Sequence, residues 1–202
     1  QSFGHTITDT APSLVPVLTA GDTAKRVQGV SLRNISISVW SENKKVTELF
    51  GEMMFTRKGV TGPIILTLSE TLVSMLDAKQ DVHIKIDLKP ALDHKKLDQR
   101  LLREIEEHSK QSFKNMLKSL LPRKMIALFL DILGIDPDKE LHQVTGEERK
   151  KLRMLLKEFP MRVIGHDSYD HAIVTSGGVS LKEINPTTLE SKLTSNLYFA
   201  GE

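Results

Sequence analysis

The residues best suited to chemistry in this 202-residue sequence are glycines that follow apolar runs near its C-terminal end. Gly177 and Gly178 follow the apolar residues 172–174, and Gly201 with Glu202 follows residues 196–200. A glycine backbone can approach a flat ring or a phosphate closely, and an acid after a strand can accept a ribose or ribitol hydroxyl. The same residues also suit a simple turn and a helix cap, so the pattern leaves both interpretations open.

A third candidate segment is residues 59–63, Gly-Val-Thr-Gly-Pro, which precedes a helical pattern. Thr61 can cap a helix with Pro63 in its first turn, and the free amides there favour an anion or an electron-rich ring edge. Capping alone would also explain this segment. The sequence contains no Gly-x-Gly-x-x-Gly motif and no P-loop, so a complete dinucleotide site is absent from it.

The other reactive residue types give weaker evidence for a functional site. The sequence has no cysteine, which excludes disulfides, a thiolate nucleophile and cysteine-based metal sites and favours a reducing cytoplasm. Its histidines lack metal-ligand spacing: His166 and His171, with two neighbouring aspartates, lie in a segment typical of a solvated turn, so we predict no metal. Tyr198 and His5 are available for proton transfer, but no pattern singles them out, and the catalytic residues are left unassigned.

Composition and charge resemble those of an ordinary soluble protein. Hydrophobic residues make up 39% of the chain, charged residues 27%, and the formal net charge is +2. No apolar run reaches the roughly 18 residues that a membrane span needs. One region is locally basic, but glutamates are interspersed and aromatic residues are missing, which argues against a nucleic-acid partner. Its basic residues are Lys110, Lys114, Lys118, Arg123, Lys124, Arg149, Lys150, Lys151, Arg153 and Lys157.

Hydrophobic periodicity predicts the secondary structure. Two prolines suggest an extended start over residues 4–18, and the phase of the first strand slips near Arg33 and Asn34, as at a bulge. Alternation predicts strands over residues 27–40, 46–55, 81–88, 159–165 and 171–176, with a short buried strand at 196–202. Helical spacing predicts helices over residues 63–76, 93–108, 113–121, 123–133 and 145–158.

The order of these elements indicates an α+β fold. A helical block with strands on both sides is most simply a helical insertion in a β domain. Thr145 and Glu148 form a capping-box pattern at the start of its last helix. The sequence begins without an initiator methionine and ends after a predicted strand with no helix following, so we expect a piece of a larger protein.

Several segments resemble one known family. Residues 51–66 (GEMMFTRKGVTGPIIL), 172–192 and 197–202 (LYFAGE) resemble segments of the bacterial flavoproteins called BaiN/YhiN-like or HI0933-like NAD(P)/FAD-dependent oxidoreductases. Gly4 and His5, with the stretch from Pro12 to Pro16, are similar to the start of the corresponding region. The likeness spans essentially the whole chain and is weakest in the helical block.

The resemblance implies a three-part protein: an FAD-binding Rossmann-type domain split in sequence, a β-barrel-like insert, and a small helical bundle within that insert. This chain would hold the barrel-like domain in residues 1–90 and 159–193 and the helical insert in residues 91–158. Residues 194–202 would form a strand that returns to the FAD domain, which is missing here. Since the glycine-rich fingerprint for FAD is also missing, we expect the chain alone to be inactive.

The resemblance also implies cofactors, partners and site residues. FAD is the expected cofactor, with NAD(P)H as the reductant; the partners would be the chain's own FAD domain and an unidentified small-molecule substrate, in the cytoplasm and not at a membrane. The rival interpretation is a non-catalytic barrel and helical module that binds protein or nucleic acid. The residues that match flavin-contacting positions are Thr175, Gly177 and Gly178 near the isoalloxazine, Ala200, Gly201 and Glu202 near the ribitol and pyrophosphate, and Thr61 and Gly62 facing the same cleft.

Overall fold

A closed barrel of antiparallel strands forms the centre of the molecule, seen in a computed structural model that describes residues 3–168, 170 and 172–201. The barrel strands are β2 (Val17–Thr19), β3 (Ser31–Ser41), β4 (Lys44–Phe55), β5 (Gly59–Thr61), β6 (Val82–Asp87) and β7 (Phe159–His166). They close in the order β2-β5-β4-β3-β6-β7. Strands β1 (Ile7–Ser13) and β8 (Val174–Val179) form a separate two-stranded antiparallel ribbon. The predicted α+β barrel-like fold is therefore confirmed.

The longest pairing in the barrel is the β3–β4 hairpin. Its register shifts between Leu32 and Ile35, where the alternation predicts a bulge, and Asn34 lies there with φ 53°. The strands turn at Glu42 and Asn43, which have φ 49° and 62°. Positive φ at both central residues matches the right-handed twist of the paired strands, so this tight turn holds the hairpin in register.

The helical insert agrees with the predicted helices to within one residue at each end. The helices of the chain are α1 (Thr23–Arg26), α2 (Pro63–Asp77), α3 (His94–Glu107), α4 (Phe113–Leu120), α5 (Arg123–Leu133) and α6 (Gly146–Lys157), with short 3-10 turns at Leu141–Gln143 and Leu181–Glu183. The amide of Lys96 donates to Asp93 Oδ1 at 2.7 Å, capping α3. Thr145 and Glu148 form the predicted capping box at the start of α6. These ends are set by local hydrogen bonds, which explains their predictability.

Barrel and bundle share one apolar core. The ring of Phe129 on α5 stacks on that of Phe159 on β7, with centroids 5.6 Å apart. The amide of Leu88, just after β6, donates to the carbonyl of Leu156 on α6 at 2.9 Å. The buried side chains of both parts belong to a single hydrophobic cluster, which also includes the inner face of α2. The predicted boundaries at residues 90 and 158 therefore separate sequence segments whose side chains pack together.

The local structure differs from prediction near the C-terminal end. Gly177 and Gly178, predicted as a turn, lie within β8, and that strand begins at Val174 rather than at 171, which is outside the described residues. The strand predicted over residues 194–202 is not formed in the described residues 194–201, where only Tyr198 makes an isolated bridge, to Glu190. A strand needs a neighbour to satisfy its backbone groups, and the periodicity of one segment carries no information about that neighbour.

Within the described residues, no helix combines the length and apolar character required to cross a lipid bilayer.

Candidate functional site

The loop before α2 contains the first pair of predicted site residues. Thr61 belongs to β5 and pairs with Met54, and its side chain makes no cap bond; Gly62 is the N-cap instead. The prediction that Thr61 caps α2 is therefore wrong, because its backbone is held in the strand ladder. A Cβ on Gly62 would lie 2.9 Å from the Cα of Met53, so the glycine lets α2 begin directly against β4. Gly62 provides no side-chain cap, the first residue of α2, Pro63, has no N–H, and the next two, Ile64 and Ile65, are buried at the positive end of the helix.

Two adjacent glycines in β8 have different environments. Asp9 and Thr10 of β1 stand opposite Gly177 in a bulge, and a Cβ on Gly177 would lie 2.0 Å from the carbonyl oxygen of Asp9. Internal packing therefore explains Gly177 without any ligand. Gly178 has φ 110°, and an added Cβ would meet nothing within 4 Å. Of the two, Gly178 is the residue whose bare backbone faces open space and can approach a planar ring.

The third group of predicted site residues ends the described chain. Ala200 and Gly201 are exposed, and a Cβ on Gly201 would meet nothing within 4 Å; Glu202 lies outside the described residues. Thr175 is also exposed and pairs with Pro12 at the start of the ribbon. The structure thus places the predicted residues on three elements: the loop before α2, the strand β8 and the C-terminal segment. The role of these residues toward a flavin stays a prediction.

A polar clasp joins the two ends of the described chain, and sequence reasoning missed it. The Oγ of Ser191 accepts the amides of Leu193 and Thr194 at 3.0 and 2.9 Å, which leaves its hydroxyl proton to donate to Nε2 of His5 at 2.8 Å. The ring of His5, itself buried, packs edge-on against that of Phe199 with centroids 5.1 Å apart. Because His5 and Ser191 are 186 residues apart, no local sequence pattern predicts their pairing.

A second part of the clasp is the carboxylate of Glu183. It accepts hydrogen bonds from the hydroxyl and the amide of Thr6 at 2.8 and 2.9 Å. These two bonds, together with the nearby His5, hold the pKa of Glu183 below its usual range. The start of the chain and the segment after β8 are therefore held together as one unit, which we call the ribbon lobe (residues 3–13 and 172–201).

The ribbon lobe also carries much of the exposed apolar surface. Of the thirteen large hydrophobic side chains that are exposed in the described structure, seven belong to it. Leu181 is 83% exposed and Ile173 is 65% exposed. The others are Phe3, Ile7, Leu189, Leu193 and Tyr198. Apolar surface of this extent on one lobe is typical of a contact with another protein domain.

Chemically, the candidate site consists of backbone and apolar surface. The open backbone of Gly178 can approach a planar ring, and the start of α2 contributes the positive end of a helix dipole. The two polar side-chain pairs of the clasp, His5 with Ser191 and Thr6 with Glu183, are occupied in holding the lobe together. The described residues therefore suit binding and positioning of a cofactor that brings its own chemistry.

Comparison with known proteins identifies relatives along the whole chain. A family model described as "HI0933-like protein barrel and H2TH domain" matches residues 11–174. A "Ribosomal RNA dihydrouridine synthase" of Escherichia coli is 29% identical over 203 residues, covering 100% of this chain and 48% of the relative. A protein of the same name from Haemophilus influenzae is 27% identical, with 47% of it covered. A "3-dehydro-bile acid delta(4,6)-reductase" of Clostridium scindens is 22% identical, with 49% covered. The chain thus spans about half the length of the curated relatives it matches.

Proposed function

Since this chain belongs to the HI0933-like family with a barrel and H2TH domain, we propose that it is the substrate-facing part of an FAD-dependent reductase. The observation that carries the proposal is that relatives aligned with the whole chain are named for reductions: two for dihydrouridine synthesis and one as a steroid-type reductase. The chain covers about half of each of them. The remaining half of the intact protein would supply the FAD-binding domain.

The named reactions share one chemical step. Uridine becomes dihydrouridine when a ring carbon–carbon double bond conjugated to a carbonyl is saturated, and a 3-dehydro steroid with 4,6 unsaturation has double bonds conjugated to its ketone. In both, a hydride adds to one carbon of a double bond conjugated to the carbonyl, and a proton adds to the other carbon of the same double bond. We propose the same class for the intact protein: per double bond reduced, one NAD(P)H and one proton are consumed, and NAD(P)⁺ and the product with that bond saturated are released.

The chain's own residues would bind and position. When bound, the flavin supplies the hydride chemistry. The open backbone of Gly178 suits an approach to its ring, the positive end of α2 after Gly62 suits its electron-rich edge, and Ala200 and Gly201 suit its ribitol and pyrophosphate. The exposed apolar face of the ribbon lobe would pack on the FAD domain and exclude water from the reacting atoms.

The substrate class that we favour is a uracil ring within RNA. Two relatives carry that chemistry in their names, and both are more similar to this chain than the bile-acid enzyme is. This proposal departs from the composition argument against a nucleic-acid partner. A small conjugated ketone, in line with the small-molecule substrate expected from the family resemblance, is the alternative that the experiment must separate.

The intact protein tests the proposal. Purified and reconstituted with FAD, it should show a flavin absorption spectrum that bleaches anaerobically on addition of NADPH or NADH. The reduced enzyme should reoxidise when given unmodified ribosomal RNA or, in the alternative, a conjugated ketone. This 202-residue chain alone should stay colourless, as a control. A folded intact protein that takes up no FAD would refute the proposal.

A further inference from the structure

The basic residues of the helical bundle are not distributed evenly. Residues 108–130 contain no aspartate or glutamate at all, yet contain five lysines and arginines. In the structure this stretch is α4, the turn at Pro122 and most of α5. We call its charged part the basic hairpin, defined as Lys110, Lys114, Lys118, Arg123 and Lys124.

The charges of the basic hairpin point to solvent. Lys114 and Lys118 are four residues apart on α4, so they lie on one face, and Arg123 and Lys124 occupy the first turn of α5; all are exposed. Lys118 donates to the side-chain oxygen of Asn115 at 2.7 Å, and Lys124 donates to the carbonyl of Gln28 at 3.1 Å. Both acceptors are neutral, so these bonds orient the ammonium groups without cancelling their charge.

Elsewhere in the bundle, four cations have acidic partners: Lys139, Arg149, Arg153 and Lys157. The carboxylate of Asp98 on α3 forms salt bridges with Arg149 and Arg153 of α6, with each guanidinium nitrogen 3.1 Å from Oδ1. Lys139 pairs with Glu148 at 2.7 Å, and the ammonium of Lys157 lies 2.5 Å from Asp87. No salt bridge found among the described residues contains a member of the basic hairpin. Carboxylates are thus interspersed with the cations of α3 and α6, whereas residues 108–130 contain none, so the hairpin remains positive.

A chain of hydrogen bonds connects the basic hairpin with the loop before α2. Lys124 contacts Gln28, the next residue Gly29 donates its amide to the carbonyl of Phe55 at 2.9 Å, and Thr56 donates to Gly59 at 2.9 Å. Arg57 and Lys58, which lie between Thr56 and Gly59, are exposed at the β4–β5 turn. Positive charge therefore continues from α4 toward the loop that holds Thr61 and Gly62, the part of this chain assigned to the flavin cleft.

We infer that the basic hairpin binds the sugar–phosphate backbone of the RNA whose uracil the intact protein reduces; this inference rests on the proposed function. Unpaired, exposed lysines suit phosphates, which carry one negative charge per nucleotide and reward each neutralised contact by counterion release. The hairpin has no exposed aromatic ring on which a base could stack. Its contacts therefore hold the RNA in position and do not read its sequence.

The test measures binding of a fluorescein-labelled ribosomal RNA fragment to the FAD-loaded intact protein over a series of KCl concentrations. Lys114→Glu with Lys118→Glu should weaken binding roughly tenfold or more and reduce the salt slope by about two, since each lysine neutralises one phosphate. Lys114→Gln with Lys118→Gln should give a smaller loss in the same direction. Circular dichroism checks that the variants fold, as expected for two exposed positions.

The matched control makes the same charge change on α6. Lys150→Glu with Lys151→Glu alters two exposed lysines that lie near the opposite end of α5, roughly 13 Å along its axis from Arg123, and should change affinity by no more than about twofold. Wild-type affinity and salt slope in the α4 variant would overturn the inference, as would an equal loss in the α6 control. Binding of the intact protein to an acidic protein but not to RNA would also overturn the inference.

The two proposals can fail separately. Flavin content and bleaching by NADPH are measured on the same samples and do not depend on RNA. A flavin-free protein refutes the proposed function, whereas a flavin-loaded, NADPH-reducible protein whose RNA binding ignores the α4 substitutions refutes only the role of the basic hairpin.

Discussion

The barrel and its bundle bury most of their large apolar side chains, whereas the ribbon lobe exposes most of its own. Barrel and bundle bury theirs in one continuous core, in which residues such as Phe129 and Phe159 have no more than 1% exposure. In the described residues 174–201 of the ribbon lobe, Ile184 is the only large hydrophobic side chain that is buried. The lobe is held by polar bonds and strand pairing instead, through His5, Ser191 and the β1–β8 ladder.

This difference separates a folding unit from a contact surface. A shared core makes barrel and bundle stable by burial, because each buried aliphatic or aromatic side chain contributes about 1.5–3 kcal/mol. A lobe that leaves its apolar residues exposed gains little from burial in this chain. Under the proposed function, these exposed apolar residues are the ones that would pack on the FAD domain of the intact protein.

The largest expected effect comes from breaking the shared core. Phe129→Ala removes the ring that stacks on Phe159 and should lower the free energy of unfolding by about 3–5 kcal/mol. Urea denaturation followed by circular dichroism should show barrel and bundle unfolding in one transition. Phe50→Ala is the control, because that ring is 65% exposed and its removal should cost no more than about 0.5 kcal/mol. Separate transitions for strands and helices would contradict the shared core.

The adjacent glycines of β8 give the next largest effect. Gly177→Ala would place a Cβ 2.0 Å from the carbonyl of Asp9, so it should disrupt the β1–β8 pairing beyond the roughly 1–2 kcal/mol that left-handed backbone alone costs alanine. Gly178→Ala meets no neighbour and should show only that backbone strain. Amide hydrogen exchange of β1 and β8 measures the difference. Equal exchange rates in the two variants would show that Gly177 is not required by packing.

In the intact protein, Gly178→Ala adds a methyl group to the open side of β8 and should lower the FAD content, while the β1–β8 pairing bears only the backbone strain of alanine at positive φ. Gly134→Ala is the control, since that glycine also has a positive φ, meets nothing within 4 Å and lies at the end of α5. Normal FAD content in Gly178→Ala would argue against contact between Gly178 and the flavin.

A smaller effect is expected at the capping box of α6. Hydrogen bonds from the Lys139 side chain and from the Thr145 amide hold the pKa of Glu148 below its usual value. The stabilisation is therefore fully present above the unfolded pKa of about 4.3 and is lost as the pH falls through the lower pKa of the folded state. Glu148→Gln should cost about 1 kcal/mol at neutral pH and reduce the loss of stability below pH 4.3. Glu147→Gln, on the same exposed first turn but outside the capping box, is the matched control for the loss of Glu148.

The smallest effect on the isolated chain is expected on the face of the ribbon lobe. Leu181→Ser changes a side chain that is 83% exposed, so the urea midpoint of this chain should shift by no more than about 0.5 kcal/mol in free energy. In the intact protein it should loosen the lobe on the FAD domain and speed limited proteolysis there. Ile132→Ser, half exposed on the bundle, is the matched control. Equal proteolysis of both variants would show that the lobe face is not covered.

Prediction from sequence succeeded where the determinants are local. The limits of α5 follow from apolar spacing between Pro122 and Gly134, and Gly134 ends the helix with φ 65°. The bulge at Asn34 follows from a slip in the alternation. Both signals lie within a few residues of the structure that they specify, so no knowledge of the rest of the fold is needed.

Prediction failed where the determinants are distant in the chain. The three-residue strand β5 is too short to show alternation, and its pairing with β2 and β4 moved the cap of α2 from Thr61 to Gly62. Gly177 was assigned to a turn because its partner, the bulge at Asp9, is far away in sequence. Of the candidate site, the sequence therefore indicated the glycines but not which of them faces open space.

By itself the sequence determined the class of fold, the bundle helices and the family, since these depend on periodicity and on short motifs such as residues 51–66. The tertiary structure decided how the barrel closes, that barrel and bundle share one core, and that His5 meets Ser191. It also decided that Arg149, Arg153 and Lys157 of α6 have acidic partners while the cations of α4 have none among the described residues. These features depend on pairings between distant segments, whose free energy is absent from any local pattern.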